Sequence, residues 1–160
     1  MKIIALYLLF CISNTTPELE SLRQHYINAA QSQQSADSFY NTLQEVNDED
    51  ATLMAYKAAS VVLMAKYEKG LIAKTKLFNR GTALLEATIA KAPDNYEARL
   101  IRLNIQDNVP WITGYTSEIK EDKAFLIKNY RSQQKGLQKF TKRYIEQSEA
   151  FSENEKQLFR

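Results

Sequence analysis

A chain of 160 residues with 44% hydrophobic and 25% charged side chains has the make-up of one globular domain, and four glycines with three prolines are too few turn-formers for an all-β fold. A formal net charge of +2 creates no field that would gather nucleic acid or demand an acidic partner. The only cysteine, Cys11, and the only histidine, His25, cannot assemble a disulfide framework or a nitrogen–sulfur metal site.

In chain order, Lys2 and the apolar run Ile3 to Ile12 read as a signal peptide, with small residues at Cys11 and Ser13 placing cleavage after Ser13. The run falls well short of the roughly twenty residues that a membrane-spanning helix needs. The expected division is a signal peptide over 1–13 and a single helical domain over 14–160. The mature chain is expected to be periplasmic or secreted, with no transmembrane anchor once the leader is gone.

Thr15-Thr16-Pro17-Glu18 has the spacing of a capping box with proline in the first turn, and Leu19, Leu22, Tyr26 and Ala29 then draw the apolar stripe of a first helix. A second helix from Ser35 carries Phe39, Leu43 and Val46 inward. Asn47 to Asp50 opens a third, acids first, as the helix dipole favours. Met54, Ala58, Val61 and Ala65 form its stripe, and Ala51, Ala55 and Ala59 allow a neighbour to approach closely, so this helix is expected to be central. Lys66 to Lys76, with Gly70, reads as a polar loop, and Thr75 as the cap of a fourth helix built on Leu77, Phe78, Gly81, Leu84, Leu85, Thr88 and Ile89.

Pro93 stops that helix, and Asp94 or Asn95 caps the next at once. The fifth helix is apolar nearly all round from Tyr96 to Ile105 except at Arg99 and Arg102, and should be buried. A loop with proline, glycine and the only tryptophan follows, Val109-Pro110-Trp111-Ile112-Thr113-Gly114-Tyr115. A helix from Thr116 presents Phe125, Leu126 and Tyr130 inward. After a break around Ser132 to Gly136, another uses Leu137, Phe140 and Tyr144, and Ser152 with Glu155 starts a short terminal helix. The fold class expected is all-α, with seven or eight helices packed as antiparallel hairpins.

The punctuation at Pro93 resembles a tetratricopeptide-repeat boundary, with Gly81, Leu85, Thr88 and Pro93 in the places of the small–large–small–proline pattern. The likeness covers half a repeat and no regular period recurs. More specifically, the chain resembles a group of uncharacterised secreted all-helical Bacteroidota proteins. The segments that carry this are Ala55-Tyr56-Lys57-Ala58-Ala59 with Leu63-Met64-Ala65-Lys66, Lys76-Leu77-Phe78, Arg99-Leu100-Ile101-Arg102-Leu103, and Gly114-Tyr115 ahead of Glu121-Asp122-Lys123. The resemblance implies an exported helical scaffold and assigns no activity.

No nucleophile elbow, phosphate-binding glycine loop or zinc-protease motif is present, so no catalytic residue, cofactor or metal ligand is expected and the chain does not read as an enzyme. Arg99 and Arg102 lie on one side of a buried helix. They read either as an internal ion pair with Glu86, Glu121 or Asp122, or as a clamp for a partner's carboxylate. Trp111 and Tyr115 read either as a cap on the core or as exposed aromatic anchors. Lys128, Arg131, Lys135, Lys139 and Lys142 step by three and four, a solvated stripe or a face for anionic lipid if one helix runs through them.

The function expected is a non-catalytic, exported helical-hairpin module of the bacterial cell envelope. It would bind an unidentified envelope protein through Arg99, Arg102, Trp111 and Tyr115. The alternative is a carrier of a small anionic ligand, or a binder of an anionic lipid surface.

Overall fold

A computed structural model describes residues 19–47 and 49–160, so the expected signal peptide, the expected capping box at Thr15 and Glu18, and Asp48 lie outside the described residues. Eight α-helices and three short 3-10 turns make up the chain from residue 19 on, and no strand occurs among the described residues. The all-α expectation is therefore met.

Helices α1 (Leu19–Ala29) and α2 (Gln33–Gln44) form the first hairpin, closed where the Ser32 hydroxyl accepts from the Ser35 amide. Helix α3 (Ala51–Tyr67) is capped by Asp50, whose carboxylate accepts from the amides of Thr52 and Leu53. It is the central helix, touching α1, α2, α4 and α5. Its small side chains let α4 (Leu71–Lys91) come very close. A Cβ built on Gly81 would lie 2.9 Å from the Ala58 carbonyl oxygen and 2.6 Å from a Val62 methyl carbon.

The loop expected over 66–76 is corrected. Helix α3 continues to Tyr67, only Glu68 to Gly70 are non-helical, and α4 begins four residues ahead of Thr75. The first six residues of α4 are all exposed, so no inward stripe marks them in the sequence, while Leu71, Ile72, Ala73 and Lys74 still have adequate helix propensity. The Thr75 hydroxyl donates back to the Leu71 carbonyl, as a residue inside a helix does.

Helix α4 ends at Lys91, and Asn95 caps α5 (Tyr96–Asn108) by accepting from the Ala98 amide at 2.8 Å. Helix α5 divides two apolar cores. Ala98, Ile101 and Ile105 pack into the first, with Leu22, Phe39 and Tyr56, whereas Tyr96, Leu100 and Leu103 pack into the second, with Leu126, Ile145 and Phe159. The second core is built from α6 (Ile119–Asn129), α7 (Lys135–Gln147) and the residues Phe151 and Phe159 that flank α8 (Glu153–Lys156). Ser152 and Glu155 form the complete reciprocal capping box at the start of α8. The 3-10 turn after it buries Phe159, whose carbonyl accepts from the Tyr130 hydroxyl.

The break between α6 and α7 falls at a 3-10 turn, Tyr130–Ser132, and the glutamines that follow it. Gly136 is already the second residue of α7. The side chain of Gln138 reaches back to the carbonyls of Tyr130, Arg131 and Gln133. Lys128 and Arg131 thus belong to one segment and Lys135, Lys139 and Lys142 to another, so no single basic stripe forms.

Candidate functional site

Arg99 and Arg102 sit one turn apart on α5, on the side that faces α6, and both are buried. Between them lies the carboxylate of Asp122, fully enclosed. Its Oδ2 accepts from Arg102 Nε at 2.7 Å, and its Oδ1 accepts from Arg102 Nη2 at 2.8 Å and Arg99 Nη1 at 3.2 Å. The remaining nitrogens turn outward to the rim of the network. Arg102 Nη1 donates to Glu86 on α4, Arg99 Nη2 to Glu121, and Arg99 Nε to the Pro93 carbonyl. The Arg99 guanidinium also lies 4.4 Å from the centroid of the Phe125 ring. Burial works to lower the Arg102 pKa, but the hydrogen bonds and charges of Asp122 and Glu86 outweigh it, so the group is held charged.

The same Glu86 carries the loop. Its second oxygen accepts from the Tyr115 hydroxyl, while the Tyr115 ring stands edge-on to Phe78 at 5.9 Å. Burial, reinforced by the Glu86 carboxylate, pushes the Tyr115 phenol well above its ordinary value, which keeps the proton on the donor. Between Val109 and Tyr115 the backbone closes on itself. Pro110 leads into a 3-10 turn, Trp111–Thr113, and Gly114 ends it at φ +67°, a left-handed conformation open to glycine at little cost. None of the three residues of the turn is buried. Trp111 is 83% exposed and Ile112 78% exposed.

Of the two readings of the arginines, the geometry has the internal one: every guanidinium nitrogen of Arg99 and Arg102 faces an acid or a carbonyl of this chain. Tyr115 is a half-buried prop. Trp111 alone of the four projects into solvent, and Ile112, which the sequence reading passed over, projects beside it. The arrangement has a plain physical logic: two buried cations tie α4, α5 and α6 together, and the loop between α5 and α6 rests on that tie through Tyr115.

A second buried network escaped the sequence reading. Glu97, in the first turn of α5, accepts from Arg23 Nε at 2.8 Å and Nη2 at 2.7 Å, and from the buried Tyr56 hydroxyl. In sequence Glu97 is an ordinary first-turn acid, and its partner is seventy-four residues away, with no local pattern to link them.

A cleft of about 590 Å³ opens between α1, α5 and α7 over Leu100, Ile101 and Phe140. Several of its polar groups serve one another. The Tyr26 hydroxyl donates to Asn104, and the hydroxyls of Tyr144 and Ser148 both donate to Asp107. His25 is exposed on α1, and no cluster of three or more possible metal ligands occurs among the described residues. The chain matches no protein-family model, no curated protein and no solved structure.

Proposed function

We propose that this chain is an exported, non-catalytic docking module of the bacterial cell envelope, periplasmic or secreted, and that its contact face is the Trp111–Ile112 loop. One observation carries the reading: two large apolar side chains, free of any partner in the chain, stand on a loop whose backbone is held from beneath by Tyr115, Glu86 and the arginine network. A side chain that costs solvation and is nonetheless held in place is what an interface anchor needs, since preorganisation lowers the entropy lost on contact. The leader read from Ile3 to Ile12 supports the location.

Among the three partner classes expected from sequence, a small anionic ligand is the least suited. The arginines that would hold it are saturated, and the cleft between α1, α5 and α7 presents the Asp107 carboxylate. Glu86, Glu121 and Asp122 are committed to arginines, which suits a scaffold better than a site of proton transfer.

The test is fractionation of the cell envelope with the wild-type chain and a Trp111→Ala/Ile112→Ala double variant. The wild type is expected to remain with the envelope and the variant to be released with unchanged helix content by circular dichroism. Equal retention of both would remove the loop from the docking role.

A further inference from the structure

The Trp111 loop does not stand alone. The four most exposed large apolar side chains among the described residues are Trp111, Leu71, Ile112 and Ile72, and the helix register directs them toward one end of the molecule. The register of the helices shows this. Asn95 donates to Thr52 and Tyr56 donates to Glu97, which aligns the start of α5 with the start of α3. Eleven residues on, α3 ends at Tyr67 and α5 at Asn108, so the Glu68–Gly70 turn and the Trp111 loop open at the same level. The tie between Arg102 and Glu86 gives the same answer. From Glu86 back to Leu71 is about 22 Å of helix, and from Arg102 to Trp111 about 9 Å of helix followed by about 10 Å of extended chain.

Residues 71 to 76 are exposed on every side, so the start of α4 is a prong and the Trp111 turn a second one. Around the first prong stand Lys69, Lys74 and Lys76, exposed and without an ion pair among the described residues. The nearby Glu68 carboxylate is turned onto the Gly70 amide, and Lys66 donates to the Ala30 carbonyl.

We infer that this end of the molecule docks on a lipid bilayer bearing anionic headgroups, with Leu71, Ile72, Trp111 and Ile112 entering the interface and Lys69, Lys74 and Lys76 meeting the phosphates. This rests on the docking reading above and names what is docked upon. Residues 71–76 at the start of α4 and Trp111–Ile112 in the turn are all exposed, so their apolar side chains can sink into a soft interface. Tryptophan favours that depth, and lysines beside apolar tips add attraction to anionic lipid. Charge complementarity selects this end. On α7 a comparable row of lysines has no exposed apolar neighbour of this size.

Trp111, as the only tryptophan, is its own probe. The chain, purified after export, is mixed with phosphatidylcholine vesicles containing about a third phosphatidylglycerol, and with phosphatidylcholine alone. With the anionic vesicles the emission of Trp111 should shift to the blue and the chain should sediment with lipid, the effect falling as salt is raised. Lys69→Gln/Lys74→Gln/Lys76→Gln should weaken partitioning about a hundredfold, at about fivefold for each lysine. Leu71→Ser/Ile72→Ser should weaken it about tenfold or more while leaving helix content unchanged. No blue shift and no sedimentation with anionic vesicles overturns the inference. So does binding that both variants retain in full, which would place the contact elsewhere, such as α7. If vesicles fail while the Trp111→Ala/Ile112→Ala variant is still released from the envelope, the docking reading stands and its partner is a protein.

Discussion

Asp122 and Glu121 are neighbours that both accept from Arg99, and they differ in one respect: the Asp122 side chain is wholly enclosed, and that of Glu121 is 65% exposed. Removing a buried carboxylate strands two buried guanidiniums, whereas removing the exposed one returns a single nitrogen to water. Asp122→Ala is therefore expected to lower stability by about 3–5 kcal/mol, and Glu121→Ala by under about 1 kcal/mol. Urea denaturation of the two variants checks this. Equal, small losses would mean that water reaches the network freely. The sequence came close here, because two arginines one turn apart on an otherwise apolar helix must find acids. It named Glu86, Glu121 and Asp122 as candidates. It could not tell a self-contained network from an open clamp, since that depends on whether every nitrogen is matched, a matter of three-dimensional geometry. Glu97 with Arg23 and Tyr56 was out of reach for a different reason, because each of the three looks ordinary in its own helix.

At the scale of the element, the α3–α4 pair shows what small side chains are for. Ala55, Ala58 and Ala59 are completely buried, and Gly81 lets α4 approach until its Cα hydrogens lie against the α3 backbone. Gly81→Ala has two opposed effects. Alanine is the better helix former by about 1 kcal/mol, but its methyl group would overlap the Ala58 carbonyl and the Val62 amide, both backbone atoms that move only with their helix. Overpacking of this kind costs about 1–3 kcal/mol, occasionally more, so a net loss of stability is expected. Gly70→Ala makes the control, because its nearest neighbours would lie at ordinary contact distances. Thermal unfolding should show a clear drop in Tm for the first and little change for the second. The closeness of α3 was readable from its alanines. The true start of α4 was not, because pattern reading finds helices by the stripe they bury, and the first turns of α4 bury nothing. Those same turns supply Leu71 and Ile72, so the error in reading the element hid half of the proposed docking surface.

For the whole molecule, the decisive element is α5, which serves two cores at once. Ile101 belongs to the core of α1 to α4, and Leu103, two residues further on, to the core of α6 to α8; both are fully buried. The polar ties cross the same divide, since Glu97 reaches back to α1 and α3 while Arg99 and Arg102 reach forward to α6. Neither half can lose α5 without exposing its own apolar face, which couples two layers that share few direct contacts otherwise. Ile101→Ala and Leu103→Ala should each cost about 2–5 kcal/mol. In a coupled molecule both should lower one common transition, with amide hydrogen exchange in α2 and α7 accelerating together in either variant. Loss of protection confined to α7 in Leu103→Ala, with α2 unchanged, would show two units that open separately. A coupled molecule also serves the proposed function. The Trp111 loop hangs from α5 and α6, while Leu71 and Ile72 stand on α4, so the two prongs hold a fixed spacing only as long as α5 binds both layers into one body.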